Sequence, residues 1–269
     1  MTYPIVDIIS WNVRGLNRPT RRTTMRETLQ MARPHIACLQ ETKMRDIDAR
    51  LAASLGGGLL RSFHYKPATG PLGTRGGILI LWNDDVVDLT NFMLGTYTLT
   101  AEVFIKACET SFLLTMVYGP TRDSAKRAFL QELRDTMPTN NSSWLVAGDF
   151  NIIYKASDKN NANLNPRQMR MFKETLNACE LKEIALQNRR YTWSNEQEKP
   201  TLVKLDRFFC NANWDTTFEK HLLHALSTSL SDHCPLLLTR QGEAPRVKTF
   251  RFENFWIHLP GFQDVVSTA

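Results

Sequence analysis

The segment at residues 144–154, with the sequence WLVAGDFNIIY, constrains the fold more than any other part of the chain. Its first four residues are apolar strand formers, which predicts a buried strand that runs into Gly148 and presents Asp149 and Asn151 at its end. On extended backbone these two side chains should point the same way, and Phe150 between them should point into the core. Gly148 would keep backbone bulk low, so that a large ligand could approach the acid. The alternative is a strand that ends in an Asx turn, which Asp and Asn favour for local reasons.

The composition is that of a globular protein with an excess of positive charge. A chain of 269 residues with 42% hydrophobic residues can form one large domain or two ordinary ones. The formal net charge of +6 suits a polyanionic partner such as nucleic acid, although solvated helix faces also produce basic clusters. Five scattered cysteines without a C-x-x-C pair exclude a disulfide framework and a zinc site. Because no secretory signal or membrane-spanning run is found, we expect a soluble intracellular protein.

Short apolar runs separated by turn residues predict many strands in antiparallel pairs, and not a series of β-α-β units. Helical spacing predicts helices at residues 20–32, 123–137 and 169–179. The expected fold is α/β in the broad sense (α+β), a four-layer αββα sandwich of two packed, mostly antiparallel sheets with helices outside. Residues 1–240 should form one domain. The composition becomes linker-like at residue 241, so residues 241–269 are expected to form a linker or tail.

Polar residues occur at the predicted strand ends and in the adjoining turns: Asn12, Glu41, Tyr118, Asp149, Asn151, Asp206, Asp232 and His233. Hydrolysis of a phosphodiester needs a hard cation on the phosphoryl oxygens, a base that orients water, and donors that hold the phosphate. These residue types supply all three, and their oxygen ligands suit Mg²⁺ rather than zinc. Each residue alone also fits a structural role, such as a turn former, a helix cap or a core histidine. These structural explanations are independent of one another. The occurrence of all these residues together therefore favours a catalytic site.

Six short motifs are spread along the chain: WNVRGLN at 11–17, LQETK at 39–43, VYGP at 117–120, GDFN at 148–151, LDRF at 205–208 and SDHCPL at 231–236. In this order they resemble the endonuclease/exonuclease/phosphatase superfamily, which has the DNase I-like fold. Any one motif would be weak, but six in order are specific. RRYTWSN at 189–195 and FRFENFW at 250–256 resemble the apurinic-endonuclease-like nuclease domain of plant LINE-type non-LTR retrotransposons. In such elements this tail leads towards a reverse transcriptase.

The resemblance assigns three residues to a divalent metal ion, Mg²⁺ with Mn²⁺ as the alternative. Glu41 would be the principal ligand, and Asn12 and Asp232 would support the metal site. The resemblance also implies that Asp149 orients or deprotonates the attacking water.

Four further residues would act on the phosphate, again by resemblance. Asn151 and Tyr118 would hold it, and His233, oriented by Asp206, would contact the scissile group. The physical chemistry agrees, because a histidine with a buried carboxylate partner is held in one orientation and favoured as the imidazolium.

Contacts with DNA are predicted for six residues near these motifs: Arg14, Arg189, Arg190, Tyr191, Trp193 and Lys204. Two of them depart from the family pattern. Arg14 stands where the apurinic endonucleases usually carry an aspartate that helps to bind metal, so metal affinity should rest more heavily on Glu41. Val203 and Lys204 stand where the LINE group usually has Ser-Arg, which removes a hydroxyl and a forked cation near the site.

The resemblance therefore implies a Mg²⁺-dependent DNA endonuclease, a monomeric nuclease domain that acts in the nucleus. It would nick one strand of target DNA and leave a 3′-hydroxyl for primed synthesis by a downstream reverse transcriptase. Three alternatives remain at this point: a repair-type apurinic endonuclease, an inactive retroelement relic that only binds nucleic acid, and a phosphoesterase for a lipid or small-molecule phosphate.

Overall fold

The computed structural model describes residues 6–70, 75–240 and 261–268. Its strands are β1 (Ile8–Asn12), β2 (Ile36–Gln40), β3 (Ser62–Lys66), β4 (Ile78–Trp82), β5 (Val87–Leu94), β6 (Thr98–Ile105), β7 (Thr110–Tyr118), β8 (Trp144–Asp149), β9 (Lys182–Glu183), β10 (Trp193–Ser194), β11 (Leu202–Val203), β12 (Asp206–Cys210), β13 (His221–Ala225) and β14 (Leu236–Arg240). Its α-helices are α1 (Pro19–Ala32), α2 (Ala49–Gly56), α3 (Lys126–Asp135), α4 (Pro166–Ala178), α5 (Ala212–Thr217) and α6 (Phe262–Thr268).

The described strands form two six-stranded sheets and one small hairpin. The first sheet has the order β13-β14-β1-β2-β4-β3, the second has the order β5-β6-β7-β8-β12-β9, and β10 pairs with β11. The pairs β1–β2 and β7–β8 are parallel, whereas the other pairs of the two large sheets are antiparallel. The prediction of two mostly antiparallel sheets is confirmed, with one parallel pair in each.

Three apolar clusters hold these layers together. The central cluster lies between the sheets and joins residues such as Ile8 of β1 to Phe208 of β12. The second packs α1 and α2 on the outer face of the first sheet, and the third packs α3 and α4 on the outer face of the second sheet. Successive residues of one strand belong to different clusters. Ile8 lies in the central cluster, and Ile9 lies in the second cluster, on the outer face of the first sheet. The fold is therefore the predicted αββα sandwich.

Local structure differs from the prediction in several places. Helix α5 was not predicted, and neither was helix α2. Asp48 caps this helix by accepting a hydrogen bond from Leu51 N, and Gly57 ends it with a φ of 63°. The predicted helix at residues 123–137 is a 3₁₀ turn followed by the shorter α3.

The close packing of two strands requires the glycine at position 148. It lies in β8 with a φ of 139°, and a Cβ atom there would come 2.0 Å from the carbonyl oxygen of Val117 in β7. Any side chain would push the two parallel strands apart, so the sheet itself requires glycine at this position.

The C-terminal part of the chain is described only at α6. The motif at residues 250–256 and most of the expected linker lie outside the described residues, so the domain boundary at residue 240 stays a prediction. Every helix in the described part of the chain is too short or too polar to cross a membrane.

Candidate active site

The ends of β1 and β2 supply the first part of the site. The two strands run parallel with Asn12 opposite Gln40, so Asn12 and Glu41, which follows β2, emerge at one edge of the sheet. Asn12 Nδ2 lies 3.2 Å from Glu41 Oε2 and 2.9 Å from Asp149 Oδ2. Because Asp149 belongs to the second sheet, this one amide joins the edges of the two sheets.

The second sheet contributes three acidic or phenolic side chains in register. Tyr118 at the end of β7 pairs with Asp149 at the end of β8, and Asp149 pairs with Asp206 at the start of β12. Asp206 Oδ2 lies 2.9 Å from His233 Nδ1. The other ring nitrogen of this histidine, Nε2, lies 3.9 Å from Asp149 Oδ2. The imidazole therefore stands between two buried carboxylates.

Burial and charge set the protonation of this group. Burial alone would lower the pKa of His233, but the charges of Asp206 and Asp149 raise it to about 9. Burial raises the pKa of Asp149 to about 6, although the neighbouring His233 charge opposes this shift. Between these values the histidine is an imidazolium and Asp149 is a carboxylate. Asp149 can therefore accept a proton, and His233 can stabilise an anion.

Asp149 and Asn151 meet, but not on extended backbone. Asn151 lies beyond β8 with a φ of 51°, and its backbone N–H donates to Asp149 Oδ1 at 3.0 Å. This is the Asx turn given above as the alternative, and the expectation of extended backbone is wrong. The turn brings Asn151 Nδ2 to 2.9 Å from Asp149 Oδ2 and 3.0 Å from the carbonyl oxygen of Gly119. Phe150 is buried, as expected.

Two groups of side chains offer oxygen ligands for a cation. Asp149, Asp206 and His233 place ligand atoms within 4.8 Å of one another. The other group is Glu41, Asp232 and Asn12, whose carboxylate and amide oxygens fit a hard divalent cation.

Glu41 is prepared to act as an anionic ligand. Burial by itself raises its pKa, but the ammonium of Lys43 and the guanidinium of Arg14 hold the pKa below its usual value. Lys43 Nζ lies 2.9 Å from Glu41 Oε1, and Arg14 Nη1 lies 3.5 Å from Glu41 Oε2. The carboxylate therefore stays ionised.

Tyr118 enters the site as a neutral phenol. Burial raises its pKa, and the charges of Glu41 and Asp149 raise it further. A neutral phenol can donate a hydrogen bond to a phosphate oxygen, which a phenolate cannot.

Two of the six residues predicted to contact DNA lie in the site. Trp193 Nε1 donates to Asp232 Oδ2 at 2.9 Å, and its ring centroid lies 6.4 Å from that of His233. Arg14 Nε lies 3.3 Å from Asp232 Oδ1. Both side chains thus contact a predicted metal ligand.

The other four predicted DNA contacts have neighbours outside this cluster. Arg189 Nη1 lies 2.9 Å from Cys234 Sγ, next to the site histidine in sequence. The Arg190 guanidinium carbon lies 5.3 Å from the centre of the Tyr191 ring. Lys204 Nζ lies 2.6 Å from Glu183 Oε1, in an ion cluster with Arg207. The structure does not bring the ammonium of this lysine to the site, because the partly buried Glu183 holds it.

Sequence reasoning left out three residues that position the site. They are Lys43, which pairs with Glu41, Thr192, whose hydroxyl donates to Asp206 Oδ2 at 2.7 Å, and Ser231, whose hydroxyl donates to the carbonyl oxygen of Asn12 at 2.7 Å. Each lies inside a motif used for the resemblance. The motifs therefore contained all three residues, but no role in the site was predicted for them.

Several solved structures share this fold at low sequence identity. An AP endonuclease from Leishmania major, LMAP, superposes with a TM-score of 0.66 at 17% identity, over 88% of each chain. The endonuclease domain of TRAS1, a telomere-specific non-LTR retrotransposon, has a TM-score of 0.64 at 13% identity, over 91% of this chain and 100% of that domain. The human Nocturnin catalytic domain has a TM-score of 0.60 at 16% identity, over 87% of this chain and 93% of that one. At these identities the likeness shows the fold alone.

Comparison of the sequence with known families assigns the chain to one of them. No curated protein sequence gives a significant match to the chain. A family model described as the endonuclease/exonuclease/phosphatase family does match, over residues 9–233. The match runs from β1 to His233, so it includes every strand-end residue of the site, and it confirms the superfamily resemblance drawn from the six motifs. The chain belongs to the endonuclease/exonuclease/phosphatase family.

Proposed function

We propose that this chain is a Mg²⁺-dependent endonuclease that nicks one strand of DNA, with Mn²⁺ as an alternative ion. Members of its family are metal-dependent hydrolases, nucleases and phosphatases among them. The observation that carries the proposal is the buried His233, held 2.9 Å from Asp206 and 3.9 Å from Asp149. A charged imidazole beside a carboxylate with a raised pKa suits attack by water on an anionic phosphodiester.

Each side chain has a task in this reaction. Asp149 takes a proton from the attacking water, and its orientation is held by Asn12 and Asn151. The water oxygen bonds to phosphorus, the bond from phosphorus to the 3′ oxygen breaks, and that oxygen takes a proton from solvent and leaves as the 3′-hydroxyl. His233 and Tyr118 supply donors for the charge that grows on the phosphoryl oxygens.

The predicted metal ligands complete the site. Glu41, Asp232 and Asn12 would hold Mg²⁺, which supplies charge neutralisation at the phosphoryl oxygens when bound. Their oxygen atoms are the ligand type that Mg²⁺ prefers, and this ion needs only one or two protein carboxylates.

DNA is favoured as the substrate by charge and by two structural neighbours. The net charge of +6 suits a polyanion, and the neighbours include an AP endonuclease and a retrotransposon endonuclease domain. We further propose that the chain acts as a monomeric nuclease domain in the nucleus. Its product would be the nicked strand that a reverse transcriptase of a LINE-type element extends.

The test is relaxation of supercoiled plasmid by the purified chain with Mg²⁺ or with EDTA. We expect nicked circles only with Mg²⁺, and none from a variant that carries both Asp149→Ala and His233→Ala. This double variant is the control for contaminating nuclease. Nicking that is equal in the double variant, or that persists in EDTA, refutes the proposal.

Two further substrates separate the alternatives. A duplex with one abasic site identifies a repair-type enzyme if it is cut far faster than the intact duplex. A small phosphate ester that turns over while plasmid stays intact identifies a phosphoesterase. DNA binding without any turnover identifies an inactive relic.

The rate of nicking should show a bell-shaped dependence on pH. It should rise through about pH 6, because Asp149 must lose its proton to act as a base, and fall through about pH 9, because His233 must keep its proton. Asp206→Asn should move both limbs to lower pH, since the charge of Asp206 raises both pKa values. Initial rates at constant Mg²⁺ concentration and ionic strength provide the measurement. A rate that keeps increasing well above pH 9 would contradict the role of His233.

A further inference from the structure

Arg14 lies between two of the proposed metal ligands. Its Nη1 is 3.5 Å from Glu41 Oε2 and its Nε is 3.3 Å from Asp232 Oδ1. The backbone at Arg14 has a φ of 52°, and its N–H donates to Asn12 Oδ1 at 3.1 Å. This turn fixes the Cα of Arg14 at the rim of the site, so the side chain crosses the space between the two acids.

The carboxylate oxygens at this place have few lone pairs to spare. Glu41 Oε1 faces Lys43, and its Oε2 faces Asn12 as well as Arg14. Asp232 Oδ2 accepts from Trp193, and its Oδ1 lies 3.5 Å from Ser231 Oγ and 3.3 Å from Arg14 Nε. A divalent cation bound between the two acids would share their oxygen atoms with the guanidinium, against the repulsion between two positive charges.

Between Arg14 and Lys43, the Arg14 guanidinium can be displaced more readily from the acids. Its side chain is 45% exposed, whereas that of Lys43 is 33% exposed. A displaced guanidinium at the rim of a phosphodiesterase site would meet the phosphate itself. Guanidinium and phosphate pair through two parallel hydrogen bonds, which gives Arg14 a partner as good as the acids that it releases.

We propose that Arg14 competes with the divalent cation for Glu41 and Asp232, and that a bound phosphodiester draws it away. Metal and DNA then bind with positive coupling, and the chain without DNA holds metal weakly. This inference rests on the proposed metal-dependent function. It gives Arg14 a regulatory role in the site.

The first test measures Mn²⁺ binding without DNA, from the electron paramagnetic resonance signal of the free ion. We expect Arg14→Gln to bind Mn²⁺ at least about tenfold more tightly than the wild type, within the usual range of coupling between sites. Arg18→Gln is the matched control, because Arg18 is an exposed arginine four positions away and should change the affinity little. Glu41→Gln should abolish the binding.

The second test measures the coupling to DNA in chains made inactive by Asp149→Asn. A short duplex should tighten Mn²⁺ binding when Arg14 is present, and much less when Arg14→Gln is added, with a titration of the duplex alone subtracted. Equal affinities in wild type and Arg14→Gln, with binding that still needs Glu41, overturn this inference and leave the proposed function standing. Mn²⁺ binding that does not depend on Glu41 in any variant overturns both.

Discussion

Asp149→Asn is expected to slow plasmid nicking by about 10²- to 10⁴-fold, the usual contribution of a general base. Asparagine keeps the size of the side chain but cannot accept the proton of the attacking water. Asp149 is buried in the centre of the site, where it accepts hydrogen bonds from Asn12 and Asn151. The measurement is the single-turnover rate with saturating enzyme, so that weaker DNA binding does not enter.

Two controls accompany this variant. Asp46→Asn removes an exposed carboxylate and should leave the rate unchanged. Far-ultraviolet circular dichroism and thermal unfolding of Asp149→Asn should show a folded protein. A folded Asp149→Asn that nicks plasmid as fast as the wild type would rule out this residue as the base.

Arg207→Leu is expected to lower the free energy of unfolding by about 3–5 kcal/mol, because breaking a buried ion pair leaves an uncompensated charge. The guanidinium of Arg207 is fully buried and lies 2.5 Å from both Asp158 Oδ2 and Glu183 Oε1. Asp158, also buried, accepts hydrogen bonds from the backbone N–H groups of Tyr154 and Lys155. Without the arginine, the turn that follows the Asp149–Asn151 segment loses its anchor.

Urea denaturation of the two proteins gives the free energies to compare. The matched control is Arg170→Leu, which removes an arginine that is 73% exposed and 3.8 Å from Glu174. An exposed ion pair of this kind contributes at most about 1 kcal/mol, so the control should remain close to the wild type. A change of the same small size in Arg207→Leu would show that the buried cluster does not stabilise the fold.

The sandwich could be predicted because several of its strands are buried on both faces. Such strands appear in the sequence as continuous apolar runs, as in Ile36–Gln40 and Ile78–Trp82. The pairing could not be predicted from these runs. Nothing in the composition of β7 and β8 indicates that they are parallel, and only the close contact at Gly148 shows how near their backbones come.

The members of the site were predicted better than its local geometry. The motifs identified the acids and the histidine, because these residues have fixed positions relative to strand ends. They could not reveal that Asn151 adopts a left-handed turn, since Asp-Phe-Asn is compatible with a strand or with a turn. Nor could they show that Lys204 binds Glu183, because the acid that holds a lysine depends on packing between distant segments. The assigned roles of the site residues stay predictions until the variants are measured.

The place of β1 in its sheet has a consequence for biosynthesis. This strand lies between β2 and β14 in the first sheet, and Asp232 and His233 lie shortly before β14. On the ribosome, a nascent chain that ends before residue 232 lacks the imidazole of His233 and one of the two strands that pair with β1. The first sheet and the candidate site are therefore completed together, late in the synthesis of residues 1–240.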